Sequence, residues 1–126
     1  MGILNVTPNS FYDGGKHREI NSIIHQVDKM LSEGADFIDI GAYSSKPSAE
    51  FVTETDEINR LVYVIKELVN TFPNIILSVD TFRAEVAKVA VDNGVAIVND
   101  ISAGLLDKNM LQTVADLKVP YIMMHM

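Results

Sequence analysis

Short apolar segments alternate along the chain with longer segments in which apolar residues recur every three or four positions. The short segments predict buried strands, and the long ones predict amphipathic helices. Because the strands are apolar until their last positions, both of their faces are expected to be covered, which is typical of a parallel sheet flanked by helices. The predicted strands are 2–6, 36–41, 75–80, 95–100 and 119–124, and the predicted helices cover 20–31, 58–72, 83–93 and 107–118.

Turn-forming and capping residues mark the ends of these elements. Gly34 and Gly94 end the first and third helices, since glycine readily adopts the backbone conformation that closes a helix. Thr53 and Asp56 have the spacing of a capping box at the start of the second helix. Polar loops and turns are predicted at 7–15, 43–48 and 102–104.

Two α/β architectures agree with this order of elements. A five-stranded doubly wound domain fits the length of 126 residues almost without remainder. A (β/α)8 barrel needs about 250 residues, so this chain would form its first half. The hydrophobic pattern alone leaves both architectures open.

Charge and composition exclude several classes of protein. Lys and Arg total 10 against 17 Asp and Glu, and the net charge of −7 argues against general nucleic-acid binding. The chain has no cysteine, which excludes a disulfide scaffold, a thiolate metal site and a cysteine nucleophile. No apolar segment reaches the roughly 18 residues of a membrane helix, and the first residues do not resemble a signal peptide. We therefore expect a cytoplasmic protein that does not bind membranes.

Polar side chains appear where the predicted strands end. In parallel α/β proteins, ligands bind at this edge of the sheet, because loops and helix N-termini meet there. The alternative is that Asp and Asn simply end strands and begin turns. The residues concerned are Asn5, Asp39, Asp80, Asn99 with Asp100, and His125.

Asp80 and Asn99 together suggest a site for a flat, polar ring. A carboxylate accepts two N–H donors from an amidine-like heterocycle in a strongly oriented way, and an amide donates and accepts at once. Asp39 lies within an apolar segment and is expected to be partly desolvated. Two interpretations of Asp39 stay open, namely that it lines the same pocket or that it is a structural carboxylate that holds loop backbone.

Several motifs together resemble the dihydropteroate synthase family, and the resemblance covers essentially the whole chain. Residues 1–11, which read MGILNVTPNSF, and Asp13-Gly14-Gly15 resemble the opening signature of that family. Further matching segments follow in the family's order at 34–41, 44–47, 78–81, 99–101 and His125. Lys46 departs from the pattern, because the family usually has Arg there, and the two differ in their grip on phosphate.

The resemblance implies the first half of a (β/α)8 TIM barrel, with about five parallel strands and four helices. Residues 1–126 would then form a partial pterin-binding TIM-barrel domain without the C-terminal half of the barrel. We expect these residues alone to be catalytically inactive. The family also implies a homodimer for the full-length enzyme.

The family's reaction joins 6-hydroxymethyl-7,8-dihydropterin diphosphate to 4-aminobenzoate and releases diphosphate, in the synthesis of folate. The resemblance implies that Asn5 binds Mg2+ and the diphosphate, and that Ser45 and Lys46 hold the diphosphate. These three residues are the ones that it assigns to catalysis. It assigns the pterin pocket to Asp80, Asn99, Asp39, Ile101 and Met123.

Two other functions stay open as alternatives. A pterin-binding methyltransferase of the methyltetrahydrofolate–corrinoid type shares the barrel but lacks the signature of the first loop. A non-catalytic, receiver-like α/β module has a suitable length. However, a receiver needs paired acidic residues after its first strand and a Lys after its fifth, where this chain has Asn5 and His125.

Overall fold

A computed structural model describes residues 2–5, 15–41, 53–100 and 107–123 of the chain. The side chains of Asn5, of residues 15–19 and of Met123 lie outside this description. Within the described ranges the chain forms five strands and four helices in strict alternation. The elements are β1 (Gly2–Asn5), α1 (Gly15–Ser32), β2 (Ile38–Gly41), α2 (Glu54–Thr71), β3 (Leu77–Asp80), α3 (Ala84–Asp92), β4 (Ile97–Asp100), α4 (Met110–Leu117) and β5 (Tyr121–Met123).

The five strands form one parallel sheet in the order β1-β2-β3-β4-β5. Right-handed crossovers between strands in consecutive order place every connecting helix on the same side of the sheet. A doubly wound sheet, including that of a receiver domain, instead reverses its strand order and carries helices on both sides. The prediction of half a (β/α)8 barrel is therefore confirmed, and the doubly wound and receiver-like interpretations are wrong.

The hydrophobic core lies between the sheet and the helices. Strand residues of the helix-covered side are almost completely buried, and the helices supply matching aliphatic side chains. Each fully buried aliphatic side chain contributes about 1.5–3 kcal/mol to folding. From the strands the core takes Leu4, Ile38, Ile40, Leu77, Val79 and Val98, and from the helices it takes Val27, Leu61, Val64, Leu68, Val86 and Met110 among others.

The opposite side of the sheet, which we call the inner face, differs in chemistry. Ile3 on this face is 65% exposed, although its neighbour Leu4 on the helix side is buried. On the central strands the inner face is polar, with Asp39 and Ser78 in register on β2 and β3. The fold therefore gathers polar side chains on the inner face, whereas the helix side of the strands contributes largely to the hydrophobic core.

The first strand begins at Gly2 as predicted, whereas β2 to β5 each begin two residues later than the apolar segments predict. The backbone N–H of Ile75 donates to the carbonyl of Phe72, and that of Val95 donates to the carbonyl of Ala90. These residues therefore close the preceding helices, and the strands start at Leu77 and Ile97.

Helix boundaries follow the capping chemistry. The hydroxyl oxygen of Thr53 accepts from the backbone N–H of Asp56 at 3.2 Å, which confirms the predicted cap of α2. Helix α1 begins at Gly15, within the segment that the sequence predicts as a loop. Helix α4 begins three residues later than predicted, because the Asp107 carboxylate accepts from the backbone N–H groups of Asn109 at 2.9 Å and of Ala84 at 2.7 Å.

The remaining loop predictions cannot be compared with the fold. The segments 7–14, 43–48 and 102–104 and the residue His125 lie outside the described residues. In the part of the chain that is described, each helix is too short or too polar to cross a bilayer.

Candidate functional site

Four polar residues of the three central strands β2, β3 and β4 meet on the inner face. Asp39 pairs in register with Ser78, and Asp80 pairs with Asn99. Register partners in a parallel sheet point to the same side, and residues two apart on a strand do so as well. Asp39, Ser78, Asp80 and Asn99 therefore share the inner face, and we call them the inner cluster.

Asp39 is the hub of the inner cluster. The Ser78 hydroxyl donates to Asp39 Oδ1 at 2.7 Å, and Asn99 Nδ2 donates to Asp39 Oδ2 at 3.3 Å. The second bond spans the width of β3, since Asp39 lies on β2 and Asn99 on β4. Both carboxylate oxygens thus bind side chains of other strands, β3 and β4, rather than the loop backbone that one interpretation of the sequence assigned to Asp39.

The inner cluster is largely shielded from water. Asp39 is 4% exposed and Asn99 is 7% exposed, while Ser78 is fully buried. Burial raises the pKa of the Asp39 carboxyl above its usual value, and the hydrogen bonds from Ser78 and Asn99 lower it. The two donors therefore offset part of the desolvation cost of an ionised carboxylate.

Asn99 keeps one polar atom without a partner. Its Nδ2 faces Asp39, whereas its Oδ1 is buried and has no hydrogen-bond partner among the residues that the structure describes. Such atoms are rare in folded proteins and need an explanation. A ligand N–H group that reaches the inner cluster would satisfy this oxygen.

Asp80 is more accessible than its neighbours in the inner cluster and lies beside Gly41. A Cβ atom built on Gly41 would lie 3.4 Å from Asp80 Cβ and 3.7 Å from Asp80 Oδ2. Because Gly41 has no side chain, the Asp80 side chain lies directly beside the backbone of β2. The carboxylate of Asp80 and the amide of Asn99 thus offer acceptors side by side on adjacent strands.

An ion pair lies close to the inner cluster. Arg83 Nη1 donates to Glu57 Oε1 at 3.0 Å, and the Glu57 side chain is fully buried at the start of α2. Burial raises the pKa of Glu57, and the nearby charge of Asp80 also raises it, while Thr81 and Arg83 lower it. The pair ties the segment that follows Asp80 to the first turn of α2.

Asp100 directly follows Asn99 but serves the opposite side of the sheet. Its carboxylate accepts from the Tyr121 hydroxyl at 2.8 Å, and its side chain is fully buried. Burial and the neighbouring Asp100 raise the pKa of the Tyr121 phenol, so the phenol stays protonated and keeps donating at physiological pH. Asp100 therefore has a structural role.

The structure brings together three of the predicted site residues, namely Asp39, Asp80 and Asn99. Ser45, Lys46 and Ile101 lie outside the described residues. Asn5 and Met123 are in register with Gly41 and Asp100, but their side chains are not described, so their assignments stay predictions.

Two inner-face residues were missed by the sequence analysis. Ser78 binds Asp39, and Ile122 is the residue of β5 in register with Asn99. Counting every second residue back from Asp80 and across from Asn99 would have found both, since side chains alternate between the faces of a strand.

Residues 1–126 match the family described as pterin binding enzyme. The chain is 51% identical to a folate synthesis bifunctional protein of Arabidopsis thaliana whose name includes "mitochondrial". The alignment covers the whole of this chain and 23% of that protein. A structure of Xanthomonas albilineans dihydropteroate synthase with 4-aminobenzoic acid is 43% identical with a TM-score of 0.87, and the chain covers 45% of it. A structure of Anaplasma phagocytophilum dihydropteroate synthase with bound 6-hydroxymethylpterin-monophosphate is 40% identical over 98% of the chain, with a TM-score of 0.88, and 47% of it is covered.

Proposed function

Because this chain belongs to the family of pterin binding enzymes, we propose that it forms the pterin-binding part of a dihydropteroate synthase. The chain spans less than half of the relatives and structures described above. The proposed reaction condenses 6-hydroxymethyl-7,8-dihydropterin diphosphate with 4-aminobenzoate to give 7,8-dihydropteroate and diphosphate.

The observation that carries this proposal is the buried Oδ1 of Asn99 beside the Asp80 carboxylate, an atom that has no hydrogen-bond partner within the described ranges. A pterin is a flat bicyclic ring with several N–H groups along one edge. Two neighbouring acceptors on a rigid sheet match such an edge and fix the orientation of the ring. A single protonated carboxyl would not fix the orientation of the ring in this way. A purely apolar pocket would not fix it either.

The reaction needs orientation and charge stabilisation more than a strong base. The arylamine nitrogen forms a bond to the methylene carbon attached to the pterin, and the bond from that carbon to the diphosphate oxygen breaks. Diphosphate leaves with the bonding electron pair, and the new amine loses a proton to solvent. A neutral arylamine is already nucleophilic, so the reaction does not require a nucleophilic side chain and its base in the inner cluster.

We propose that Asn5, Ser45 and Lys46 bind the diphosphate, and that Asn5 also binds Mg2+. Asn5 ends β1 at the same edge of the sheet as the inner cluster. An amide oxygen is a suitable ligand for Mg2+, which takes one or two protein ligands together with phosphate oxygens, so the residue fits the ion. When bound, the ion would neutralise charge on the leaving diphosphate.

Mixing the protein at its natural length with both substrates tests the proposal. We expect dihydropteroate and diphosphate to appear in a one-to-one ratio. Asp80→Asn should lower kcat/KM for the pterin substrate at least about tenfold, whereas Asp92→Asn, at an exposed position at the end of α3, should leave it unchanged. Methyl transfer from a folate without diphosphate release would instead favour the corrinoid-type methyltransferase.

The cellular location and the oligomeric state of the protein stay predictions. We propose a cytoplasmic homodimer that acts on small molecules and binds neither nucleic acid nor membranes. Analytical ultracentrifugation at micromolar concentration would give twice the monomer mass if the dimer forms.

A further inference from the structure

Ser78 is a fully buried hydroxyl that the proposed reaction does not use. It lies on β3, between the strand of Asp39 and the strand of Asn99. Its hydroxyl donates to Asp39 Oδ1 at 2.7 Å, the shorter of the two side-chain hydrogen bonds that Asp39 accepts. A buried hydroxyl needs a partner, so this bond is maintained once the sheet has formed.

The bond from Ser78 constrains the amide of Asn99 through Asp39. An ionised carboxylate only accepts hydrogen bonds, so the group of Asn99 that faces Asp39 Oδ2 must be the NH2 group. The carbonyl Oδ1 of Asn99 is then directed away from Asp39, and no described residue donates to it. The direction of the amide thus depends on a carboxylate that stays ionised and in place.

We propose that Ser78 is a positioning residue for substrate: by donating to Asp39 it holds the Asn99 amide with its carbonyl oxygen directed at the ring N–H groups of the pterin. This inference rests on the proposed function and adds a residue to it. Ser78 itself does not touch the ring.

Loss of the hydroxyl has a specific consequence for Asn99. Without Ser78, Asp39 keeps a single donor in a buried environment, which favours its protonated form. A protonated carboxyl donates to the carbonyl of Asn99, and the amide can then turn its NH2 group toward the ring. An NH2 group facing a ring N–H is a mismatch, so the pterin binds less tightly while the other substrate is unaffected.

The test compares variants of the protein at its natural length. Ser78→Ala removes the hydroxyl, Ser78→Thr retains it, and Ser78→Cys keeps the volume with a weak donor. Tyr121→Phe is the matched control, because it deletes a donor to a buried carboxylate, Asp100, on the opposite side of the same sheet. Thermal unfolding of every variant verifies that it is folded, and binding of 6-hydroxymethylpterin monophosphate is measured by calorimetry.

We expect the dissociation constant for the pterin to rise about tenfold in Ser78→Ala, to rise to a smaller extent in Ser78→Cys, and to return to within about twofold of the parent in Ser78→Thr. The KM for pterin diphosphate should rise in the same order, while the KM for 4-aminobenzoate does not change. Equal pterin affinity in Ser78→Ala and Tyr121→Phe would overturn the inference, as would a folded Ser78→Thr that binds as weakly as Ser78→Ala. If the parent protein itself does not bind the pterin, the proposed function fails, and this result is distinct from a failure of the inference about Ser78.

Discussion

Asn99 donates to Asp39 across the full width of a strand, and the two residues are 60 positions apart in sequence with 3.3 Å between Nδ2 and Oδ2. The contact exists because three consecutive strands lie side by side in parallel, so residues of different strands on one face reach one another. Asn99 Nδ2 therefore faces Asp39, whereas the buried Oδ1 of Asn99 has no hydrogen-bond partner among the described residues.

Replacing Asp39 with Asn should change stability in a pH-dependent way. Burial raises the pKa of Asp39 in the folded state, so ionisation of this carboxyl costs folding free energy. The full stability is present below the ordinary pKa of the unfolded chain and is lost as pH rises through the raised value. Relative to the parent, Asp39→Asn should therefore gain about 1.4 kcal/mol for each unit by which the pKa is raised.

Urea unfolding of both proteins at several values between pH 4 and pH 8 measures this effect. The difference in unfolding free energy should widen with rising pH and then become constant. A difference that does not depend on pH would contradict the assigned cause. The same variant should bind the pterin less tightly, because an amide at position 39 no longer fixes the direction of Asn99.

Removing Arg83 alone should destabilise the fold more than removing both charges of the Glu57–Arg83 pair. Arg83→Met leaves the fully buried Glu57 carboxylate without its cation, and we expect a loss of about 3–5 kcal/mol. The double variant Glu57→Gln/Arg83→Met should lose less than Arg83→Met alone, because no buried charge remains. Lys88→Met, at an exposed position of α3, is the matched removal of a positive charge and should change stability by less than about 0.5 kcal/mol.

Denaturant unfolding of the parent, Glu57→Gln, Arg83→Met and the double variant completes this thermodynamic cycle. Additive losses from the two substitutions would show that Glu57 and Arg83 do not stabilise each other.

Alanine substitutions at Gly34 and Gly94 should distinguish the cost of backbone strain from the cost of a steric clash. Both have positive φ angles, +104° and +118°. Residues other than glycine adopt such angles at a cost of about 1–2 kcal/mol. An added Cβ meets nothing within 4 Å at Gly34, whereas at Gly94 it would lie 3.2 Å from Val69 Cγ2. Gly94→Ala should therefore lower the melting temperature more than Gly34→Ala does.

A second substitution isolates the contribution of Val69. In the background of Val69→Ala, the cost of Gly94→Ala should fall to that of Gly34→Ala. Equal costs for the two glycine substitutions in the parent protein would rule out the steric contact.

Asp107 should stabilise two helices at once. Its two carboxylate oxygens accept from the backbone N–H groups of Ala84 and Asn109, which lie at the N-terminal ends of α3 and α4. Asp107→Ala should cost about 1–2 kcal/mol, in the range measured for the loss of a helix cap. Asp116→Ala, which removes only an exposed hydrogen bond from Gln112, should cost less than about 0.5 kcal/mol and is the control in the same unfolding experiment.

The sequence predicts the order and type of the elements because each strand is apolar and each helix has one apolar stripe. It also predicts Asp80 and Asn99 as neighbours, since both end strands that follow one another along the chain. The hydrophobic pattern could not choose between a barrel and a doubly wound sheet, because strand order depends on crossovers that leave no trace in local periodicity. The motifs that resemble a known family supplied that choice, and the consecutive strand order confirms it.

Contacts between side chains distant in sequence are what the sequence did not predict. The bond from Ser78 to Asp39 and the link from Asp107 to Ala84 join positions 39 and 23 residues apart. Either donor has many possible partners until the strand register is known. The ends of the elements were misjudged for a similar reason, because Ile75 and Asp107 use their polar groups to close or cap helices, although their side-chain type suits the neighbouring element.

Asn99 and Asp100 are adjacent, similar in size and both buried, yet Asn99 lies on the inner face of β4 and Asp100 binds Tyr121 on the opposite side. The two sides of β4 therefore carry different hydrogen bonds, from Asn99 to Asp39 on the inner face and from Tyr121 to Asp100 on the helix side. Exchanging the two residues would conserve composition, volume and hydropathy, yet it would remove the amide from Asp39, place a second carboxylate beside it, and leave the tyrosine facing an amide. Two like charges in a dry space repel strongly. The order of Asn99 and Asp100 along the chain therefore matters to these hydrogen bonds as much as the two residue types do.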